Sequence, residues 1–581
     1  MTDVLIVGAG PVGLTLACEL ARRSVSFRVV DRLPERMAHS RAIGIHSRTL
    51  ELFEGLGLID AMLERGERVF SANLYGHGSR IATVAFDELD APHPFILMLP
   101  QYETERLIEE RLVALGGRVE RGVTLDALDR HPDSVSASLK FAGGVGDEVV
   151  RVPWVVGCDG AHSTVRHAIG MAFDGQPYDE NFVLADVDVQ WDLAHDETHV
   201  FLHSDGALIA LPLPGANRYR LLAAVGRSSD RANASHGIQA GDAPTLDAID
   251  RLVRARGHIP ATLSDPRWLA AFRIHRRIAR SYHVGRVFLA GDAAHIHSPV
   301  GGQGMNTGIQ DVANLAWKLE LVTRGDAAPA LLDSYHAERH PIASATLDGT
   351  DLATRFVTMR SAVSREMVLF AASVLSHFEV VQQRLTRRAA MLSLNYRRSA
   401  LVGEHRIPLG GANLAHDPNS EAPSVHDWLD FGAGPAPGDR APDVEYGEGP
   451  GSSSHRLFDS LRGTRHVLLL FDGAAATTEG YRTLERVGSM VREHFDRLFD
   501  VHIVVPFAKA PDALQWQGSV ILDSHGTVHH RYGARSECLY VIRPDGYVGF
   551  RSQPADGAKL RAWIEGILGH SGASGNQIPP A

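Results

Sequence analysis

Short unbroken apolar runs, each closed by glycine or a carboxylate, alternate with stretches in which apolar residues recur at helical spacing. Residues 3–8 (DVLIVG) form such a run, rich in Val, Leu and Ile as a buried parallel strand requires. Gly8, Gly10 and Gly13 follow, then an amphipathic stretch to about Arg23, then a second strand over 25–30 that ends at Asp31. The pattern predicts a strand–helix–strand unit at the start of the chain. Helical spacing returns at 103–115 (ETERLIEERLVAL), and short strands are expected around 134–142 and 148–156, the latter leading into Cys158-Asp159-Gly160.

From about 178 to 275 the texture changes. Alternating runs at 182–189, 198–202, 207–211 and 219–225 predict an antiparallel sheet. A buried strand at 285–291 (GRVFLAG) precedes a Gly-rich segment and a long helix from about Thr307 to Val322, and helical patterns continue to about Arg398. Gly, Pro, Asp and His dominate 401–451, which reads as a linker. Strand patterns at 466–471, 501–505 and 539–542 between helices predict a separate C-terminal α/β module. The expected domains are therefore 1–177, 178–275, 276–400, a linker at 401–445, and 446–581.

Composition narrows the class. At 581 residues the chain exceeds what one core supports, and 44% apolar with 22% charged residues is ordinary globular usage. A net charge of −11, with only four Lys among 58 basic residues and no basic block, argues against a nucleic-acid or membrane partner. Cys18, Cys158 and Cys538 stand far apart, so a disulfide framework, a thiolate metal site and a dithiol relay are all disfavoured, and no metal site is expected. No leader peptide or membrane span is visible, and the cytoplasm is the expected compartment.

Three segments bear chemistry. In Gly8-Ala9-Gly10-Pro11-Val12-Gly13, the first Gly permits a tight turn and the second lets a pyrophosphate approach the backbone. The third lets helix and strand pack closely. The helix that starts there aims free amides at phosphate, and Asp31, 23 residues after Gly8, suits a ribose hydroxyl. The second segment, Cys158-Asp159-Gly160-Ala161-His162-Ser163-Thr164-Val165-Arg166, reads by itself as a turn capped by Asp159 with Arg166 on the surface. The third runs Gly291-Asp292-Ala293-Ala294-His295 and on through Pro299-Val300-Gly301-Gly302-Gln303-Gly304-Met305-Asn306. So many glycines at a helix start permit close approach of a flat ligand.

On GAGPVG, CDGAHSTVR and GDAAHIHSPVGGQGMN, residues 1 to about 400 resemble the single-component FAD-dependent aromatic hydroxylases, the class A flavoprotein monooxygenases. The tail, with PAPGDRAPD at 435–443, resembles the thioredoxin-like extension of the phenol hydroxylase and polyketide hydroxylase branch. The resemblance implies an α/β fold. Its parts are a Rossmann-type FAD-binding domain of the glutathione reductase-like type, interleaved with an antiparallel-sheet substrate domain, and a C-terminal thioredoxin-like α/β domain. It implies that Gly8, Gly10, Pro11, Val12 and Gly13 hold the FAD pyrophosphate and that Asp31 replaces the usual Glu on the adenosine ribose. Arg32 is then placed at the adenosine half, Arg41 (with Arg48 as a second) near the pyrophosphate, Gln101 at the ribityl chain and Leu125 at adenine. Asp159 and Arg166 match the motif that serves FAD and a transient NADPH or NADH, and Asp292 the ribityl or pyrophosphate region. Pro299 would lie beside the flavin ring, with Gly302, Gly304, Met305 and Asn306 at its pyrimidine edge.

With no second GxGxxG unit, the pyridine nucleotide is expected in a cleft over the flavin, near Arg41, His162 and Arg166. The implied reaction takes hydride from NAD(P)H and O₂ through a flavin hydroperoxide to hydroxylate a phenolic or polycyclic aromatic ring. Baeyer–Villiger insertion, a flavin oxidase or dehydrogenase, and a flavoprotein-like binding module without turnover are the alternatives. His46 is the candidate base for the phenol, against the plainer reading of a packing histidine among thirty; backbone positioning explains His295 and His297 as well. Phe182, Leu211, Leu213 and Leu222 are expected to form an apolar wall for the substrate ring. With Cys538 alone, the C-terminal module is expected to support packing or a homodimer interface instead of redox chemistry.

Overall fold

The computed structural model describes residues 2–37, 42–144, 146–227, 237–238, 243–298, 301–358, 378–413, 423–447, 455–473 and 478–569. The chain divides into two compact units, Met1–Ala316 with Arg339–Ser393, and Trp317–Glu338 with Leu394–Ala581.

In the first unit, Val4–Val7 is wholly buried at the centre of a sheet. The strand order is His283–Val284, Val287–Leu289, Trp154–Gly157, Val4–Val7, Phe27–Asp31, Val119–Arg121. Neighbours are parallel except for the pair at the His283 edge. Burial on both faces explains the continuous apolar run of its central strand. Pro11–Arg22 follows Val4–Val7 as expected, with Pro at its first position, where a missing N–H is harmless.

The predicted antiparallel sheet is present. Its order is Gly237–Ile238, Thr262–Ala279, Phe173–Gln190, Arg218–Arg227, Leu208–Pro212, Glu197–Leu202, Ser71–Gly76, Ser79–Ala85. Two of these strands come from far upstream, and Ser71–Gly76 joins through a parallel pairing with Glu197–Leu202. One sheet face is covered by the helix Leu246–Gly257, capped by Thr245, whose Ile249 and Val253 are buried with Phe201, Leu208 and Leu221. The long helix begins at Gly304, a turn earlier than the expected Thr307, so Gly304, Met305 and Asn306 form its first turn.

The second unit corrects two boundaries. Trp317, Leu321, Ala327 and Leu331 share a core with Leu468, Val501, Leu539 and Leu560, so the segment 317–338 packs with the C-terminal part and not with 276–400. The stretch read as a linker at 401–445 contains the strand Gly403–Arg406, paired in parallel with Val548–Gln553, and the helix Val425–Ala433 with a Ser424/Asp427 capping box. Its glycines and prolines mark turns between short elements rather than free chain. The full sheet order is Gly403–Arg406, Val548–Gln553, Cys538–Ile542, His466–Phe471, Phe499–Val505, Ser519–Leu522. Among the described residues, no helix is long and apolar enough to cross a membrane. All three thiols are free and buried, and burial pushes Cys18 up to about 12.

A buried charge cluster fixes segment 317–338 within this unit. Glu338 accepts from Arg543 at 2.6 and 3.0 Å, from Lys318 at 2.7 Å and from Ser399 at 2.6 Å, while Asp545 accepts from Arg543 at 3.0 and 2.5 Å. Removing one partner of a buried set strands the others in a medium that solvates charge poorly. Glu338→Ala is therefore expected to lower stability by about 3–5 kcal/mol, read as a fall in the denaturant midpoint of the C-terminal unit.

Candidate functional site

Every element that leads into the site ends on glycine or on a helix N-terminus. Gly8 leaves its strand at φ +104°, and a Cβ there would lie 2.4 Å from the Cys158 carbonyl oxygen. A Cβ on Gly13 would lie 2.0 Å from the Gly8 oxygen, so both positions admit only glycine. Gly10 differs: a Cβ there meets nothing within 4 Å, and the same holds for Gly160 and Gly301. These three face free space.

That space is a cavity of about 510 Å³ in the first unit, within the usual ligand-pocket range of about 300–1,000 Å³. Gly10, Pro11 and Val12 line one end, and Gly301, Gly302, Gln303, Gly304 and Met305 another. The helix Pro11–Arg22 has no side-chain cap, and neither it nor Gly304–Thr323 has an acidic residue in its first turn. Two positive helix ends with no acidic side chain in their first turns therefore meet one cavity. The opposite wall comes from the antiparallel sheet and is apolar, with Val200, Ile209, Leu211, Leu222, Phe272 and Ile274. Of the expected wall residues, Leu211 and Leu222 line it. Phe182 stacks on Phe272 at 5.7 Å, and Leu213 packs behind with Ile43 and Met98.

Asp31 is not among the lining residues but stands behind the glycine turn. Its carboxylate accepts from Ala9 N at 2.6 Å and Leu33 N at 2.8 Å, which pins the glycine turn and leaves lone pairs for a further donor. Arg32 is exposed. Asp292, half-buried in a short 3₁₀ turn, lines the cavity, as does Gln101, whose amide donates to Glu105 at 2.7 Å. Leu125 is buried in a separate three-stranded sheet opposite Leu139 and does not line the cavity. Arg48 is buried and paired with Glu51 at 2.6 Å. Arg41 and Pro299 lie outside the described residues.

Asp159 and Arg166 are not among the lining side chains, although Cys158 and Gly160 are. Asp159 accepts from Ser163 Oγ at 2.5 Å and Val165 N at 3.1 Å, and burial pushes its carboxyl above the usual range. Arg166 is buried, not at the surface. It donates to the carbonyls of Ala293 (3.0 Å) and Ala161 (2.9 Å) and lies 3.9 Å above the Phe173 ring. The pair thus binds the second motif to the third across 127 residues of sequence.

Asn306 joins the two sides of the ring-shaped end. It accepts from His46 N at 3.0 Å and donates to the carbonyls of Gly44 (2.9 Å) and Gly302 (2.8 Å). The His46 ring lines the cavity with Nε2 3.2 Å from the Gly302 carbonyl, and burial holds it below the usual imidazole range, hence neutral. His297 also lines the cavity. Its Nε2 lies 2.8 Å from His295 Nδ1, His295 Nε2 lies 2.6 Å from Asp311, and Arg339 donates to Asp311 at 2.8 Å. Sequence reasoning passed over this chain because Asp311 stands 16 residues from His295, inside a helix with no motif of its own.

Open glycine turns and helix starts without acidic residues suit the anionic parts of a ligand, and the apolar sheet suits an aromatic ring.

The family model described as "FAD binding domain" matches residues 1–350. The chain is 34% identical to the 6-methylpretetramide 4-monooxygenase of Streptomyces rimosus, over 97% of this chain and 93% of that protein. It is 33% identical to the pentachlorophenol 4-monooxygenase of Sphingobium chlorophenolicum, over 97% and 96%. Among solved structures, the anhydrotetracycline hydroxylase from Streptomyces rimosus superposes with a TM-score of 0.69 at 27% identity, covering 100% of this chain and 99% of the other.

The glycines separate into two testable kinds. Gly10→Ala is expected to leave circular dichroism and melting unchanged while weakening FAD binding about tenfold or more, since the added methyl enters the phosphate cradle. Gly13→Ala is expected to abolish soluble, folded protein, because its clash is with backbone. Flavin fluorescence titration and melting curves on both variants check this.

Proposed function

The chain belongs to the FAD binding domain family and is an FAD-dependent aromatic monooxygenase that uses NAD(P)H; on that premise we propose that it hydroxylates a phenolic substrate of more than one ring, held against the sheet wall of the cavity described above. One observation supports this most: a single cavity joins the starts of two helices, neither with an acidic residue in its first turn, to an apolar sheet face. The names of two relatives, a 6-methylpretetramide monooxygenase and an anhydrotetracycline hydroxylase, point the same way, while that of a third, a pentachlorophenol monooxygenase, supports the phenol but has a single ring. The reported relatives are monooxygenases and a hydroxylase, and they lend no support to the oxidase or Baeyer–Villiger alternatives.

The lining and the glycine turn support the following roles for this chain's residues. The amides of Gly10 and Val12 would hold the FAD pyrophosphate, Asp31 would accept from the adenosine ribose, and Asp292 and Gln101 would hold the ribityl chain. The amides of Gly302, Gly304 and Met305, at the start of a 20-residue helix, stabilise negative charge at the pyrimidine edge of the ring. Bound FAD supplies hydride acceptance from NAD(P)H and activation of O₂. The protein orients the substrate ring and excludes water through Ile209, Leu222 and Phe272. Asp159 and Arg166 position the third motif through the Ala293 carbonyl. His46 holds the Gly301–Gly302 turn through its ring nitrogen.

In fold terms, the parallel sheet is assigned to a Rossmann-type FAD domain, interleaved with a substrate domain built on the antiparallel sheet. The strands Val548–Gln553, Cys538–Ile542, His466–Phe471 and Phe499–Val505 stand side by side, with only the last two parallel. That order supports a thioredoxin-like module. Its single cysteine is buried and protonated, which supports a structural role.

A panel of phenols, naphthols and polycyclic quinone-type polyketides tests the substrate reading by stopped-flow absorbance. FAD-loaded protein should be bleached by NADPH much faster with a true substrate, and a hydroxylated product should follow by mass spectrometry. Bleaching that no aromatic accelerates, with stoichiometric peroxide release, would contradict it. His46→Ala is expected to weaken FAD binding severalfold with the shape of the pH–turnover profile unchanged, measured by flavin titration and initial rates.

A further inference from the structure

Two imidazoles line the cavity, and only one has a carboxylate behind it. His46 has its Nε2 3.2 Å from the Gly302 carbonyl, and its Nδ1, like that of His297, has no hydrogen-bond partner among the described residues. His297 instead starts a line of hydrogen bonds, His297 Nε2 to His295 Nδ1 at 2.8 Å and His295 Nε2 to Asp311 Oδ2 at 2.6 Å. The other Asp311 oxygen accepts from Arg339 at 2.8 Å, and Gly291 N donates to Asp311 Oδ2 at 3.2 Å. The three side chains His295, Asp311 and Arg339 are wholly buried, and His297 is 7% exposed. Its remaining ring nitrogen, Nδ1, has no hydrogen-bond partner among the described residues. A buried, unpaired ring nitrogen costs stability unless something in the cavity answers it.

We propose that His297, with His295 and Asp311 positioned behind it, exchanges one proton with a hydroxyl of the aromatic substrate. The proposal rests on reading this cavity as the FAD and substrate site. As written for uptake, the substrate O–H bond breaks and a bond forms from the proton to His297 Nδ1. The His297 Nε2–H bond then breaks as a bond forms to His295 Nδ1. His295 keeps its Nε2–H on Asp311, so the charge ends as an imidazolium beside a carboxylate. Electron pairs shift within the rings, no redox partner is needed, and the reverse sequence returns the proton to the product. A phenolate is the more electron-rich ring, and a base within hydrogen-bond reach lowers the cost of forming it.

The surroundings favour a single shared proton. Burial holds His297 well below the usual imidazole range, so it begins with a free lone pair. Asp311 stays ionised despite its burial because the Arg339 guanidinium faces it and the His295 ring hydrogen-bonds to it. The Tyr282 ring stacks on His295 at 5.9 Å and its phenol is pushed well above its usual range by burial. His340, 5.4 Å from Tyr282, is held low by burial, and the Cys158 thiol is pushed well up by burial, with Asp159 and Asp311 adding to it. None of these neighbours competes for the proton near neutral pH.

Nitrogen-15 NMR of the histidine rings in the full-length, FAD-loaded protein tests the proposal. The two rings are expected to titrate as one site that binds one proton. Chemical reduction of the flavin, which adds negative charge to the cavity, should raise the apparent pKa of that site by about one unit, a tenfold shift. Rings that titrate independently, or a site unmoved by reduction, would overturn the proposal. His297→Gln should retain bound FAD and lose the shared titration, and His295→Asn should do the same without altering the cavity wall. With the panel phenol that the native enzyme hydroxylates fastest, His297→Gln should lose about a hundredfold in turnover below that phenol's own pKa and recover above it. An equal loss at all pH values would count against a relay. Native protein that takes up no FAD would show that the cavity reading itself had failed, an outcome visible in the absorbance spectrum before any titration.

Discussion

Backbone-to-backbone contact at one seam holds the first unit together around its cavity. Gly13 lies against the Gly8 carbonyl, Gly8 against Cys158, and Val12 fits a notch formed by Gly291 and Gly308. A Cβ on Gly291 would come within 2.9 Å of Val12, and one on Gly308 within 2.6 Å. The segments at Cys158, Gly291 and Gly308 can therefore converge on the turn from Gly8 to Gly13 only because glycine leaves room at each contact. Close packing of this sort tolerates no added methyl, since interiors have no slack to absorb it. Once the seam is formed, the ends of two helices necessarily face the same space.

The polar groups near that space divide the work. Those that line it are mostly amides and carbonyls of glycine-rich turns, fixed dipoles that need no rearrangement when charge develops. The charged side chains mostly stand behind the wall and bind motif to motif. Arg166 reaches Ala293, Asp159 caps the turn that presents Gly160, and Asp31 secures the Ala9 amide. Charges that are satisfied by protein hold geometry, and dipoles left unsatisfied by protein are what a ligand meets. The second unit holds a charge set of the same kind, in which Glu338, Arg543, Lys318 and Asp545 pair with one another in the interior.

How much of this was legible depended on the range of the interaction. Strands and helices set by local periodicity were read nearly in place, among them Val4–Val7, Phe27–Asp31, Gln101–Ala114 and His466–Phe471. Ser71–Gly76 was missed because its S-A-N-L-Y-G sequence lacks a clean apolar alternation, although it pairs both with the neighbouring Ser79–Ala85 and with Glu197–Leu202 more than a hundred residues later. The segment 317–338 was assigned to the wrong neighbour because an apolar helix face does not announce which core will cover it. At the site, the glycines were legible because each answers a local need for room. The direction of Arg166 was not, since an arginine in a helix after a turn reads as surface until its carbonyl partner is known.

The histidines show the same limit at the level of chemistry. By composition, His46, His295 and His297 are equivalent, and proximity to the glycine loop favours the first. What separates them is the group behind the ring. A base must release the charge it acquires, and a backbone carbonyl accepts a hydrogen bond without gaining by the ring's protonation as a carboxylate does. Gly304–Thr323 starts at the cavity, and Asp311, seven residues or two turns on and so on the same face as Gly304, reaches His295. The helix whose start lines the cavity therefore also supplies the carboxylate that distinguishes one cavity histidine from the other.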